Sequence, residues 1–136
     1  MVITGDGNVG IGIAAPTEKL HVDGNILATG TITPDYVFQK YYDGTSTLKD
    51  DYQMPSLEEI EQFTRKYKHL PGVPSAAEVS RKGGILLNRA AEINLEKIEE
   101  LYLHTIEQEK QLDAKDKEIA KLKARLEKIE AALGIE

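Results

Sequence analysis

Residues 118–133, EIAKLKARLEKIEAAL, place Ile119, Leu122, Leu126, Ile129 and Leu133 at alternating spacings of three and four. That period keeps one apolar stripe on one side of a helix, the pattern of a coiled-coil seam. The stripe extends toward the amino terminus through the heptad positions a (Ile98, Thr105, Leu112) and d (Leu101, Gln108, Lys115). Neither Pro nor Gly interrupts the stretch from Asn88 to Gly134. One continuous helix over 88–136 is therefore predicted, some 65–70 Å long at about 1.5 Å per residue. A small globule cannot enclose a rod of that length. In a parallel pair, a g residue meets the e residue five positions later on its neighbour. Glu118 then faces Lys123, Arg125 faces Glu130, and His104 faces Glu109. These pairs favour a parallel, in-register homo-oligomer, and act on orientation more than on stability. Thr105, Gln108 and Lys115 are polar seam positions, which can fix register at a cost in stability. Mixed Ile and Leu at a and d leave two, three and four strands open.

Two other regions precede the rod. Residues 1–34 are rich in Gly, Thr, Val and Ile, and VGIGI and KLHVDGNILATGTI alternate with a strand-like period of two. Leu20 and Val22 share a face, and Asp23-Gly24 is a turn dipeptide ahead of Ile26. So small a sheet buries too little to stand alone, so neighbouring chains are expected to complete it. Residues 35–87 read as a collar. Ser56-Leu-Glu-Glu59 and Ser75-Ala-Ala-Glu78 are capping boxes that open two short helices. Leu57, Ile60, Phe63 and Tyr67 recur at helical spacing in the first. HLPGVPS separates the two as a rigid corner, with Pro71-Gly72 suited to a type II turn, and Gly83-Gly84 ends the second. Leu95, Tyr102, Leu103 and Ile106 lie off the seam, and the helical pair 56–82 is expected to fold back over them.

Composition narrows the chemistry. The formal net charge of −6 argues against a nucleic-acid backbone as partner. With no cysteine, thiol catalysis, disulfides and Cys-ligated zinc are excluded. No run of apolar residues is long enough for a membrane span, and no signal peptide is visible at Met1. The opening residues read as though they fall inside a repeat, so the chain is expected to be the end of a longer one. Gly5, Gly7 and Gly10 form a literal G-x-G-x-x-G with Asp23 beyond it, yet a dinucleotide site needs a buried strand before the first Gly and a helix at the third. Here Pro16 and IGIAAP follow Gly10, which suits a tightly wound β structure instead. Ser46 and Lys49 stand three apart in STLK, in an acidic stretch that keeps the lysine charged, and a surface loop is expected. His69 and Ser75 lack an acid to complete a triad. The doublets Glu58-Glu59, Glu99-Glu100 and Asp50-Asp51 are adjacent in sequence, and the two Glu doublets read as solvated helix faces, since adjacent helical residues do not face each other. His21, His69 and His104 have no metal spacing. No catalytic residue, cofactor or metal is assigned.

GNVGIGIAAPTEKLHVDGNI resembles the NVGIG…KLHV-x-G-x-I repeat of phage tail-fibre-like and large bacterial surface proteins. PDYVF, MPSLEEIEQF, HLPGVPSAAEV, GGILLN and INLEKIEELYLHTIEQ resemble the C-terminal region that often follows it. The resemblance implies an elongated α+β homotrimer with an intertwined Gly-rich β shaft, a small helical collar and a parallel coiled coil. Its implied role is trimerisation and chaperone-like capping at the end of a fibre. Its implied place is outside the cell, on a virion tail or a bacterial surface, joined to an upstream shaft of the parent chain. Related fibre ends cut themselves off with a serine and lysine in an S-D-x-R-x-K-like motif. GTITPDYVFQK stands there without Ser or Arg, so self-cleavage is not expected. The expected interface comprises Leu20, Val22 and Ile26 in the shaft, with Ile98, Leu101, Thr105, Gln108, Leu112, Ile119, Leu122, Leu126, Ile129 and Leu133 in the bundle. A second reading makes the tip a receptor- or glycan-binding surface through Tyr36, Tyr41 and Tyr42.

Overall fold

The computed structural model describes residues 1–30 and 33–135, and the chain divides into two compact units, Met1–Thr31 and Ile32–Glu136. It is an α+β protein in which the described residues form a three-stranded sheet in the first unit and four helices in the second. Thr31 and Ile32, counted above with the β region, lie outside the described residues.

In the first unit, β1 (Val2–Ile3) pairs antiparallel with β2 (Val9–Ile11), and β2 pairs parallel with β3 (Leu20–Val22). Parallel neighbours ordinarily need a crossover of about a dozen residues or more; here Gly12–Lys19 suffices because the chain winds tightly. The Val9 N–H donates to the Lys19 carbonyl, and the Asp23 N–H to that of Ile11, both at 2.9 Å. Gly10 is where the coil closes. A Cβ there would sit 2.5 Å from the Ile13 carbonyl oxygen, so only glycine lets the two backbones meet. This is why the glycine pattern belongs to a wound strand: β2 occupies the place where a nucleotide fold would open a helix. Gly10 and Pro16 are the buried residues of this unit among those described. The strand reading of NILAT fails, because residues 25–29 carry no ladder and Ile26 and Leu27 are exposed.

In the second unit, α1 (Tyr36–Asp43) is a helix that the sequence reading missed. Gly44 ends it in the left-handed conformation, and the Gly44 N–H donates to the Lys40 carbonyl at 3.1 Å. Both capping boxes form. The Ser56 hydroxyl accepts from the Glu59 N–H at 3.2 Å while the Glu59 carboxylate accepts from the Ser56 N–H at 2.8 Å, opening α2 (Leu57–Tyr67). Ser75 and Glu78 repeat the arrangement at the start of α3 (Ala76–Lys82). These bonds draw both glutamates below the ordinary carboxylate range, the backbone donor being the larger cause. Between the helices Gly72 has φ +74° and the Val73 N–H donates to the Leu70 carbonyl, the corner predicted for Pro71-Gly72. The last helix, α4, runs Leu87–Leu133, closed by Gly134 in the left-handed region.

The buried cluster joins Tyr36 and Val37 of α1, Tyr52 of the following loop and Leu103 of α4. Leu103 is fully enclosed, worth roughly 1.5–3 kcal/mol of transfer free energy. The expected cover is thus corrected. It is α1 and the 46–55 loop, and not the pair 56–82, that cover Leu103, while Leu95 and Tyr102 stay exposed and Ile106 is half-buried.

Candidate oligomerisation surface

Two faces of α4 differ in what meets them. The residues that carry the collar are Ile93, Glu96, Glu99, Glu100, Leu103 and Glu107, all at heptad positions b, c and f, away from the seam. Tyrosines reach this face from α1 and its loop. The Tyr36 hydroxyl donates to the Glu96 carboxylate, Tyr52 to Glu100 at 2.9 Å, and Tyr41 to Glu107 at 2.9 Å. Lys97 bridges Glu96 at 3.0 Å and Glu100 at 2.9 Å. Lys49 lies 3.6 Å from Glu96 and 5.0 Å above the Tyr36 ring. Burial would raise the Glu96 carboxyl, but the Tyr36 and Lys97 hydrogen bonds and the Lys97 and Lys49 charges outweigh it and hold it below the ordinary range. Burial pushes both the Tyr36 and Tyr52 phenols well above their usual range, reinforced by their hydrogen bonds to the glutamates. Glu99 differs from its neighbours. Burial, followed by the nearby Asp35 and Glu96 charges, raises its carboxyl, and its Oε2 is enclosed without a hydrogen-bond partner among the described residues.

This face overturns several expectations. Glu99 and Glu100 are buried, so that doublet is not a solvated face, whereas Glu58 and Glu59 are exposed. Ser46 is buried too, and not on a surface loop. Its hydroxyl donates to Gln39 Oε1 at 2.6 Å and accepts from the Leu48 N–H, while the Lys49 amine turns to Glu96. Tyr36 is a core residue, which removes it as a receptor contact. Tyr41 is half-buried and held by Glu107, and Tyr42 alone of the three is open, at 61% exposure. His104 is buried with its ring nitrogen 3.1 Å from the Pro55 carbonyl, so the intrachain collar has taken the group that was expected to face Glu109. The signal for this network was present in outline, as Glu96, Glu100 and Glu107 share a helical face. What was missing was knowledge that tyrosines stood over it.

The other face is bare. From Gln108 to Ile129 every residue of α4 is exposed. The apolar a and d residues Ile98, Leu101, Leu112, Ile119, Leu122, Leu126, Ile129 and Leu133 range from 47% exposed at Ile119 to 66% at Leu133. Thr105 satisfies its hydroxyl on the Leu101 carbonyl at 2.8 Å, and Gln108 lies exposed. Among the described residues, Glu118, Lys123, Arg125 and Glu130 make no ion pair within the chain. In the first unit Leu20 and Ile26 are exposed and Val22 half-buried. No protein family, curated protein or solved structure matches the chain. Among the described residues no three His, Asp or Glu side chains gather as a metal site, and no helix is long and apolar enough to cross a membrane.

Proposed function

We propose that this chain is a self-association module, the homotrimeric C-terminal end of a fibre-like protein. The observation that carries the reading is the uncovered seam: a long helix whose a and d residues stay about half exposed along its length, while the collar takes up the opposite face only between Ile93 and Glu107. A helix of this length gains little from propensity and needs a partner to bury its apolar stripe. Complementary g and e charges favour an identical partner, parallel and in register. The resemblance of two sequence blocks to tail-fibre-like ends supports three strands and an extracellular place on a virion or cell surface. The mechanism is registration. Aligned rods deliver each glycine-rich β unit to its neighbours without the one-residue slip that would turn every side chain to the wrong face. Leu20, Val22 and Ile26 then meet identical residues of other copies.

Sedimentation equilibrium of the 136-residue chain tests this, the expected mass being three times the 15.1 kDa protomer. A protomer mass at all concentrations refutes the reading. Intact mass on expression checks the associated expectation that the chain does not cleave itself.

A further inference from the structure

Beside the seam, α2 and α4 enclose an open groove of about 350 Å³, lined by Leu57, Ile60 and Leu70 on one side and by Ile98, Leu101 and His104 on the other. It is strongly apolar, and none of the described residues fills it. Its position on α4 is specific. His104 and Lys97, the g residues at this level, stand at the groove, whereas the e residues Leu95 and Tyr102 are exposed on the other flank of the seam. One chain therefore carries an apolar receptacle on its g flank and a large unpartnered aromatic on its e flank.

We infer that the groove receives Tyr102 of a second copy of this chain, so that each protomer grips the next in one direction around the bundle. This rests on the parallel, in-register association proposed above and adds a collar-level contact to it. Charge complementarity lower on the rod sets the alignment. Glu118 opposite Lys123 and Arg125 opposite Glu130 are attractive, and Gln111 opposite Asp116 is neutral. A g residue that meets the e residue five positions later brings Lys97 opposite Tyr102 of the neighbour, at the mouth of the groove. The ring enters among Leu57, Ile60 and Leu70, with its hydroxyl left at the polar rim and the aliphatic stem of Lys97, whose amine is held by Glu96 and Glu100, beside it. Because the receptacle and the insert are different surfaces, the contact is heterologous, and three copies close it into a ring with no free end.

The absence of native cysteine makes the test direct. Chains carrying Leu57→Cys are mixed with chains carrying Tyr102→Cys, denatured, refolded together and oxidised. Both positions are exposed in the single chain, and helicity by circular dichroism checks that each variant folds. The expected result is a mixed disulfide between the two kinds of chain, absent when either variant is oxidised alone. A third variant, Leu126→Cys, reports the seam independently by cross-linking to itself. Seam cross-links without the mixed disulfide overturn the groove contact and leave the self-association reading standing. Cross-linking of Tyr102→Cys chains to one another also overturns it, since that contact would be symmetric. Loss of both cross-links removes the parent reading together with this one.

Discussion

Replacing Leu122 and Leu126 by Ala together is the sharpest perturbation of the seam. In the single chain these residues are 53% and 54% exposed, so association has about half of each side chain left to bury. Full burial of a leucine is worth about 1.5–3 kcal/mol, which leaves roughly 1 kcal/mol per side chain and about 6 kcal/mol for the six in a trimer. At 1.4 kcal/mol per tenfold, that is about 10⁴ in the trimer association constant. The midpoint concentration of a monomer–trimer equilibrium varies as the inverse square root of that constant, so the midpoint should rise about 100-fold. Ala is the best helix former, so the rod itself is not weakened by the change. Sedimentation equilibrium over a concentration series reads the midpoint, and circular dichroism of the monomer checks that the helix persists. Should the double variant assemble with the midpoint of the unmodified chain, the free energy of association does not reside in this seam.

Three further outcomes follow from the collar and the wound sheet. Leu103→Ala should lower the unfolding free energy by about 2–5 kcal/mol, read by denaturant titration of tyrosine fluorescence, because Tyr36 and Tyr52 pack on the lost side chain. Glu99→Gln should stabilise the fold near neutral pH. The native Glu99 carboxyl is raised, so the folded state holds its proton more tightly than the unfolded chain, and its contribution is complete below the ordinary glutamate value and lost as pH rises through the raised one. The stabilisation by Gln should therefore fade in melts taken at acid pH; a pH-independent difference would contradict this account. Gly10→Ala should open the β2–β3 pairing, since the new Cβ would lie 2.5 Å from the Ile13 carbonyl oxygen. Hydrogen exchange at the Val9 and Asp23 amides, which close that ladder, should accelerate, and unchanged protection would show that the coil can relax around a methyl group.

Local rules were legible wherever a residue acts on its immediate neighbours. The two capping boxes and the Pro71-Gly72 corner each depend on bonds spanning a few residues and stand where those rules put them, whereas the helix expected over 88–136 stops at Leu133, capped by left-handed Gly134, and Glu136 lies outside the described residues. The apolar stripe of α4 was equally plain, because a period of three and four needs no knowledge of the rest of the chain. Other features depended on who faces whom. The α1 segment YVFQKYYD offers its tyrosines as receptor contacts until Tyr36 and Tyr41, with Tyr52 of the following loop, are seen to donate to Glu96, Glu107 and Glu100, tens of residues away.

By itself, then, the sequence determined the period of the rod, the capped starts of α2 and α3 and the need of Gly10 and its neighbours for close backbone approach. Tertiary structure alone decided which flank of α4 is spent on the collar, that Glu99 and Glu100 are enclosed, and that His104 and Tyr36 belong to the interior. The physical reason is range: capping and periodicity are short-range constraints, while burial of a charge is decided by donors that only the folded chain brings within a hydrogen bond's reach.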